Sequence, residues 1–349
     1  MFMIEKSLFG TTKSGEKVYK FDLISGSSVA SILTFGATIQ SLIVPSNHGV
    51  LDVVMGYSDL SSYEEFDGYL GATVGRNGNR IKNAEFYLDD TLIKLNKNDG
   101  DNNLHGGNIG FSHKVWSVKS INVEENSITL SYLSKDGEEN FPGNLQVETK
   151  FTLNGSSLVI EYFAITDKKT VCNLTNHSYF CLDGAGEPTS HDAFVKIDAD
   201  RVLEVDEGLI PTGNFINVEN TPFDFRDFKQ IKTDILSNDK QIEFMHGYDC
   251  NFCLNANGKH KEVAWLYSKR SGIELTVKTS NYGLQLYTGY FLTDRVGKGG
   301  KTYKQNTSIC LETQTYPDAV NNKNFPSSIL SPTDKYYVKT EYLFSLKKD

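Results

Sequence analysis

Apolar side chains recur at every second position in "NSITLSYLS" (126–134), "SLVIEYFAIT" (157–166), "GIELTVKTS" (272–280) and "LQLYTGYFL" (284–292). A period of two puts successive side chains on opposite faces of an extended chain, and the Ile, Val, Thr, Tyr and Phe in these runs suit a pleated surface. Gly- and Asn-rich clusters between such runs, among them "KDGEEN", "LNGSS", "NANGK" and "GKGGK", read as turns. "SDLSSYEEFDG" (58–68) opens with Ser and Asp cap candidates and predicts one short helix. Many short strands with such turns indicate a sandwich or barrel. With no internal repeat, linker or low-complexity segment, the expectation is one continuous all-β domain over residues 1–349, a large β-sandwich with few short helices.

"NLTNHSYFCL" (173–182) also alternates, but its polar flank carries an imidazole. Thr175, His177 and Tyr179 fall on one face; Leu174, Asn176, Ser178 and Phe180 fall on the other.

The balance of charge narrows the partners. A net charge of -9 without a long basic run argues against nucleic acid and against an anionic membrane surface. No apolar stretch has the length of a signal-peptide core or a membrane span, so the expected location is cytoplasmic. Five cysteines, an odd number in a long chain, do not form a disulfide framework. The N-x-S/T triplets at Asn154 and Asn306 would then be silent.

Three short motifs suggest other chemistry and do not hold. "GKGGKT" (297–302) ends like a phosphate-binding loop, but Arg295 stands where that motif needs glycine and a strand-like run follows. It reads as a hairpin loop. "GATVGRNGNR" (71–80) lacks dinucleotide spacing and a βαβ context, so its glycines are expected to serve close backbone approach. Cys250 and Cys253 form a lone C-x-x-C, and residues three apart on a strand face opposite ways, which does not favour a shared metal. No metal and no cofactor are expected.

What remains is a polar set. His105 lies in "DNNLHGG", His177 in the run above, Asp249 in "HGYDCNF", and Glu312 in "SICLETQTYPD". In that last strand Ile309, Leu311 and Thr313 share one face while Cys310, Glu312 and Gln314 share the other. A carboxylate so placed is costly to desolvate without a partner. Together with Arg80 in "GNRI", these residues suit acid–base work on a polyhydroxylated ligand.

Nearly end to end, the chain resembles the aldose 1-epimerases (galactose mutarotases). The motifs that carry the resemblance run in the family's order: "FGTTKSGEKV", "ILTFGATIQSLIVPSNHG", "GATVGRNGNRI", "NNLHGG", "NLTNHSYF", "GLIPTG", "TPFDF", "GYDCN", "GLQLYTGYF", "CLETQTYPDAVN" and "FPSSIL". The resemblance implies a galactose mutarotase-like β-sandwich that interconverts the α and β anomers of free hexoses such as galactose and glucose. It implies Glu312 as the base on the anomeric hydroxyl, His177 as the acid on the ring oxygen, and His105 steadying that end of the sugar. Asn79, Arg80, Asp249 and Gln285 would touch the sugar, and Ser178 and Tyr179 beside His177 are further candidate contacts. Base and acid are expected on opposing sides of one pyranose. The substrate would be a monosaccharide; the oligomeric state and the preferred aldose stay open. Two departures from the family stand out: Gly78 for the usual Ala, and Cys250 where many relatives have His. A hexose-6-phosphate epimerase, a non-catalytic sugar-binding protein and a glycoside hydrolase are the rival readings.

Overall fold

The computed structural model describes residues 2–66, 68–187 and 190–347. In the strand Leu145–Asn154, alternate residues from Leu145 to Leu153 are buried, and its antiparallel partner Ser157–Thr166 repeats the pattern. Both belong to a nine-stranded sheet that also takes in Ser127–Ser134 and Ile273–Thr279, the strands expected at 126–134 and 272–280. A six-stranded antiparallel sheet runs in the spatial order Tyr179–Phe180, Ile309–Gln314, Gly283–Tyr287, Asp249–Leu254, Ala199–Val205 and Pro211–Asn217. A five-stranded meander from Phe2–Thr11 to Gly49–Asp52 completes the framework.

The apolar faces of the three sheets meet in one core. Phe21 and Ile32 enter it from the meander, Val147 and Val277 from the nine-stranded sheet, and Leu286 and Leu311 from the six-stranded sheet. Each fully buried side chain of this kind is worth about 1.5–3 kcal/mol, so the alternation orients the six-stranded sheet strongly. With Leu284, Leu286, Ile309 and Leu311 committed to the core, the opposite face must hold Asp249, Asn251, Gln285, Tyr287, Cys310, Glu312 and Gln314. The register sets them in rows: Asp249 pairs with Tyr287 and Tyr287 with Cys310, while Asn251 pairs with Gln285 and Gln285 with Glu312.

Two expected strands are shorter than their sequence period. The run at 284–292 leaves the sheet after Tyr287, because Gly289 takes φ +78° and Leu292 N–H closes a turn onto the Gly289 carbonyl. The run at 173–182 splits. Thr175–Asn176 pairs with Thr73–Val74, whereas Tyr179–Phe180 pairs with Ile309–Gln314. His177 sits at the crossing, tied by its N–H to the Ala72 carbonyl and by its own carbonyl to Gly71 N–H.

The short helix appears at Leu60–Glu65 with Asp59 as its cap, accepting from Ser62 N–H; Asp67 of the expected segment lies outside the described residues. A second helix, Lys240–Met245, was not expected, although Asp239 caps it and Gly247 follows its end. Residues 297–301 form a hairpin loop between Arg295–Val296 and Thr302–Tyr303. In "GATVGRNGNR" the glycines do serve close approach: a Cβ on Gly71 would lie 2.0 Å from the Ile39 carbonyl oxygen, and one on Gly75 would lie 2.5 Å from the Phe111 ring. Cys250 and Cys253 join different apolar clusters, as opposite faces require.

Candidate active site

A cavity of about 440 Å³ opens over the polar face of the six-stranded sheet. Its floor holds Tyr179, Asp249, Tyr287 and Glu312, and its walls come from the loops around Asn79 and His105. Arg80–Ile81 pairs with Asn103–Leu104, which carries His105 to Asn79. His105 N–H donates to the Asn79 carbonyl at 3.2 Å, and Asn79 N–H donates to His105 Nδ1 at 3.1 Å. Tyr69, Asn79 and His105 all have left-handed φ, at +57°, +65° and +52°. Such backbone is uncommon outside glycine, and here the interlocked loops hold it in place.

His177 is 4% exposed, and its ring is stacked between two phenols. Tyr179 lies 4.8 Å away at 18°, and Tyr69 lies 5.8 Å away at 20°. Its Nε2 stands 3.5 Å from Oε1 of Glu312, and its Nδ1 stands 3.6 Å from Cys310 Sγ. The expected arrangement on opposing sides of a sugar is therefore corrected: carboxyl and imidazole stand side by side. Asp249 accepts from Gln285 Nε2 at 2.7 Å, and Arg80 reaches Asp99 at 2.8 Å and Asp249 at 3.9 Å.

Burial sets the protonation. It pushes His177 down to about 4. It raises Glu312 well above the usual carboxylate range, with the charge of Asp249 adding to the rise and Arg80 opposing it. Burial likewise raises Asp249 and lowers His105, the latter helped by the neighbouring His177 and Arg80. The protein's own groups thus favour one shared proton resting on the carboxyl beside a neutral imidazole.

His105, His177 and Glu312 could suggest a metal triad, with one donor atom from each within 4.8 Å of the others. The donor chemistry does not fit. His105 Nδ1 already accepts a backbone N–H, so in the neutral ring Nε2 carries the hydrogen and presents a donor, not a lone pair.

Of the candidate residues, Asn79, Arg80, His105, His177, Tyr179, Asp249 and Glu312 line the cavity. Gln285 and Ser178 do not. Gln285 lies behind Asp249 and holds it, and the Ser178 hydroxyl turns away to donate to Asn176 Oδ1 at 2.6 Å. Cys250 is packed in the core, away from the cavity, so its departure from the family pattern leaves Asp249 in place. Tyr69, Asp99, Tyr287 and Arg295 line the cavity and were not anticipated. Tyr287 was legible in principle, because it follows Gln285 by two on the same face; Tyr69, Asp99 and Arg295 sit in loops or at a hairpin, with no period to mark them.

A family model described as Aldose 1-epimerase matches residues 19–343. The chain belongs to the aldose 1-epimerase family. It is similar to a galactose mutarotase from Sus scrofa, 41% identical over 99% of this chain and 100% of that one. An aldose 1-epimerase from Haemophilus influenzae is 39% identical, covering 89% of this chain and 91% of its own. The solved structure of an aldose epimerase homologue from C. elegans superposes with a TM-score of 0.86 at 31% identity, covering 94% and 98%. The activity that goes with this family is isomerisation at the anomeric carbon. That reaction exchanges protons at two oxygens bonded to the same carbon, which is chemistry for adjacent groups.

Proposed function

We propose that the protein interconverts the α and β anomers of free hexoses, galactose and glucose among them, with Glu312 and His177 as its acid–base pair. Glu312 takes the proton of the anomeric hydroxyl while His177 protonates the ring oxygen. The C1–ring-oxygen bond breaks, its electron pair goes to the ring oxygen, and the open aldehyde forms. Rotation about C1–C2 followed by the reverse transfers closes the other anomer. The reading is carried by the 3.5 Å separation of the two groups, since the two reacting oxygens share C1. Opening converts carboxylate and imidazolium into neutral carboxyl and imidazole, the pair that burial already favours. The buried walls thereby lower the cost of reaching the open-chain state. His105 presents its Nε2–H towards the same end, and Arg80, Asn79 and Asp249 offer donors and acceptors for the remaining hydroxyls.

Galactose as a substrate draws support from the mutarotases to which the chain is similar. A phosphorylated hexose is disfavoured. Arg80 is already engaged by Asp99 and Asp249, Arg295 lies over the Phe66 ring, and three carboxyl side chains line the cavity. The core draws on residues from Phe21 to Phe344, which supports a single sandwich domain. Time-resolved polarimetry of pure α-galactose and α-glucose, with the parent and Glu312→Gln, tests the reading; equal relaxation rates would remove it.

A further inference from the structure

Beyond the row that meets the cavity, the six-stranded sheet carries a second set of polar side chains. Asn251, Gln285 and Glu312 are register partners on neighbouring strands, and Gln314 follows Glu312 on the same face. Thr175 stands near Gln314, with Gly78 beside both. A methyl added to Gly78 would lie 3.0 Å from Thr175 Cγ2 and 3.4 Å from Gln314 Oε1. Thr175, Asn251, Gln285, Glu312 and Gln314 are each at most 3% exposed. Six of their atoms have no protein partner: Thr175 Oγ1, Asn251 Oδ1, Gln285 Oε1, Glu312 Oε2, and both Oε1 and Nε2 of Gln314. A buried polar atom without a partner is costly, and six on one small group of side chains call for a guest.

The chemistry of the six atoms specifies that guest. Three are amide oxygens that only accept, and Glu312 Oε2 accepts whenever the carboxyl is ionised. The Gln285 amide cannot flip to supply a donor, because its Nε2 is committed to Asp249. Flipping Gln314 leaves the tally unchanged. Apart from Glu312, none of these residues lines the cavity. A bare cation would satisfy the oxygens but leave the Gln314 N–H without an acceptor. Water both donates and accepts, and buried waters make about three hydrogen bonds.

We propose that ordered water donates to Oε2 of Glu312 and is held by Gln314, making Gln314 a positioning residue for the base. The inference rests on Glu312 being that base. Hydrogen bonds to a carboxylate favour its charged form. The water would keep the buried Glu312 able to ionise while His177 attends the other oxygen.

Gln314→Met tests this, with Glu312→Gln run in parallel. Expected is a kcat about tenfold lower, the worth of one hydrogen bond to a charged group, with KM little changed. The basic limb of the pH–rate profile should move to higher pH, because a carboxylate with fewer donors holds its proton more tightly. A purely structural role would lower Tm and leave that limb in place, which would overturn the proposal. Activity retained in Glu312→Gln would instead overturn the base assignment. A high-resolution crystal structure of the parent decides even if Gln314→Met does not fold. Water within hydrogen-bonding distance of Glu312 Oε2 and Gln314 supports the site; no water there, or a coordinated cation, overturns it.

Discussion

His177 Nε2 and Glu312 Oε1 lie 3.5 Å apart, brought together where Tyr179–Phe180 pairs with Ile309–Gln314. The closeness makes them one titrating unit holding one proton over a wide range. A bell-shaped kcat/KM profile is expected. Its acid limb lies near pH 4, where His177 gains its proton while the carboxyl keeps its own and the base is lost. Its basic limb lies above the usual carboxylate range, where Glu312 ionises beside a neutral imidazole and no proton is left to donate. Polarimetric rates across pH check this; an acid limb at the ordinary histidine value would contradict it.

Replacing His177 with Asn removes the imidazole while leaving a polar side chain at the crossing, whose main-chain ties to Gly71 and Ala72 do not depend on the ring. The fold should survive and kcat should fall by roughly 10²–10⁴, the usual worth of a positioned proton transfer. Circular dichroism and polarimetry on the same sample separate the two effects.

Glu312→Gln keeps size and hydrogen bonding but cannot accept the anomeric proton. A loss of similar size, about 10²–10⁴ in kcat, is expected, with a much smaller change in KM. Single-anomer relaxation at several sugar concentrations provides the split.

Tyr69 stacks on His177 from the loop side. Tyr69→Leu removes a ring contact worth about 0.5–1.5 kcal/mol and should cost up to about tenfold in kcat/KM through loss of ring orientation. An unchanged value would mean that Tyr179 and the other neighbours of the ring hold the imidazole without Tyr69.

Gly71 lies under the Ile39 carbonyl with φ +72°, and a Cβ there would sit 2.0 Å from that oxygen. Gly71→Ala should destabilise the protein by at least about 2 kcal/mol, combining overpacking with a strained φ. Thermal or denaturant unfolding measures it.

The strands were legible because burial on one side of a sheet writes itself as a period of two, and that period also placed Glu312 and Gln314 opposite Leu311. The family's motifs marked His105, Asp249 and Arg80. Where a run bent or changed partners, as at Gly289 and at His177, the period continued while the pairing did not, so strand ends were misjudged. Ser178 and Gln285 illustrate the same limit. Sharing a motif with site residues does not by itself put a side chain among the cavity-lining residues: the Ser178 hydroxyl turns to Asn176, and Gln285 gives its Nε2 to Asp249.

Alternation and residue chemistry are local, and they suffice to specify an all-β chain with acids and imidazoles on polar faces. Distance between residues far apart in the chain is not local. That Glu312 and His177 stand shoulder to shoulder, that Tyr69 and Asp99 line the same cavity, and that Gln285 and Gln314 are buried beside the carboxyl follow from strand order and loop crossings. These arise only when the sheets pack around one core.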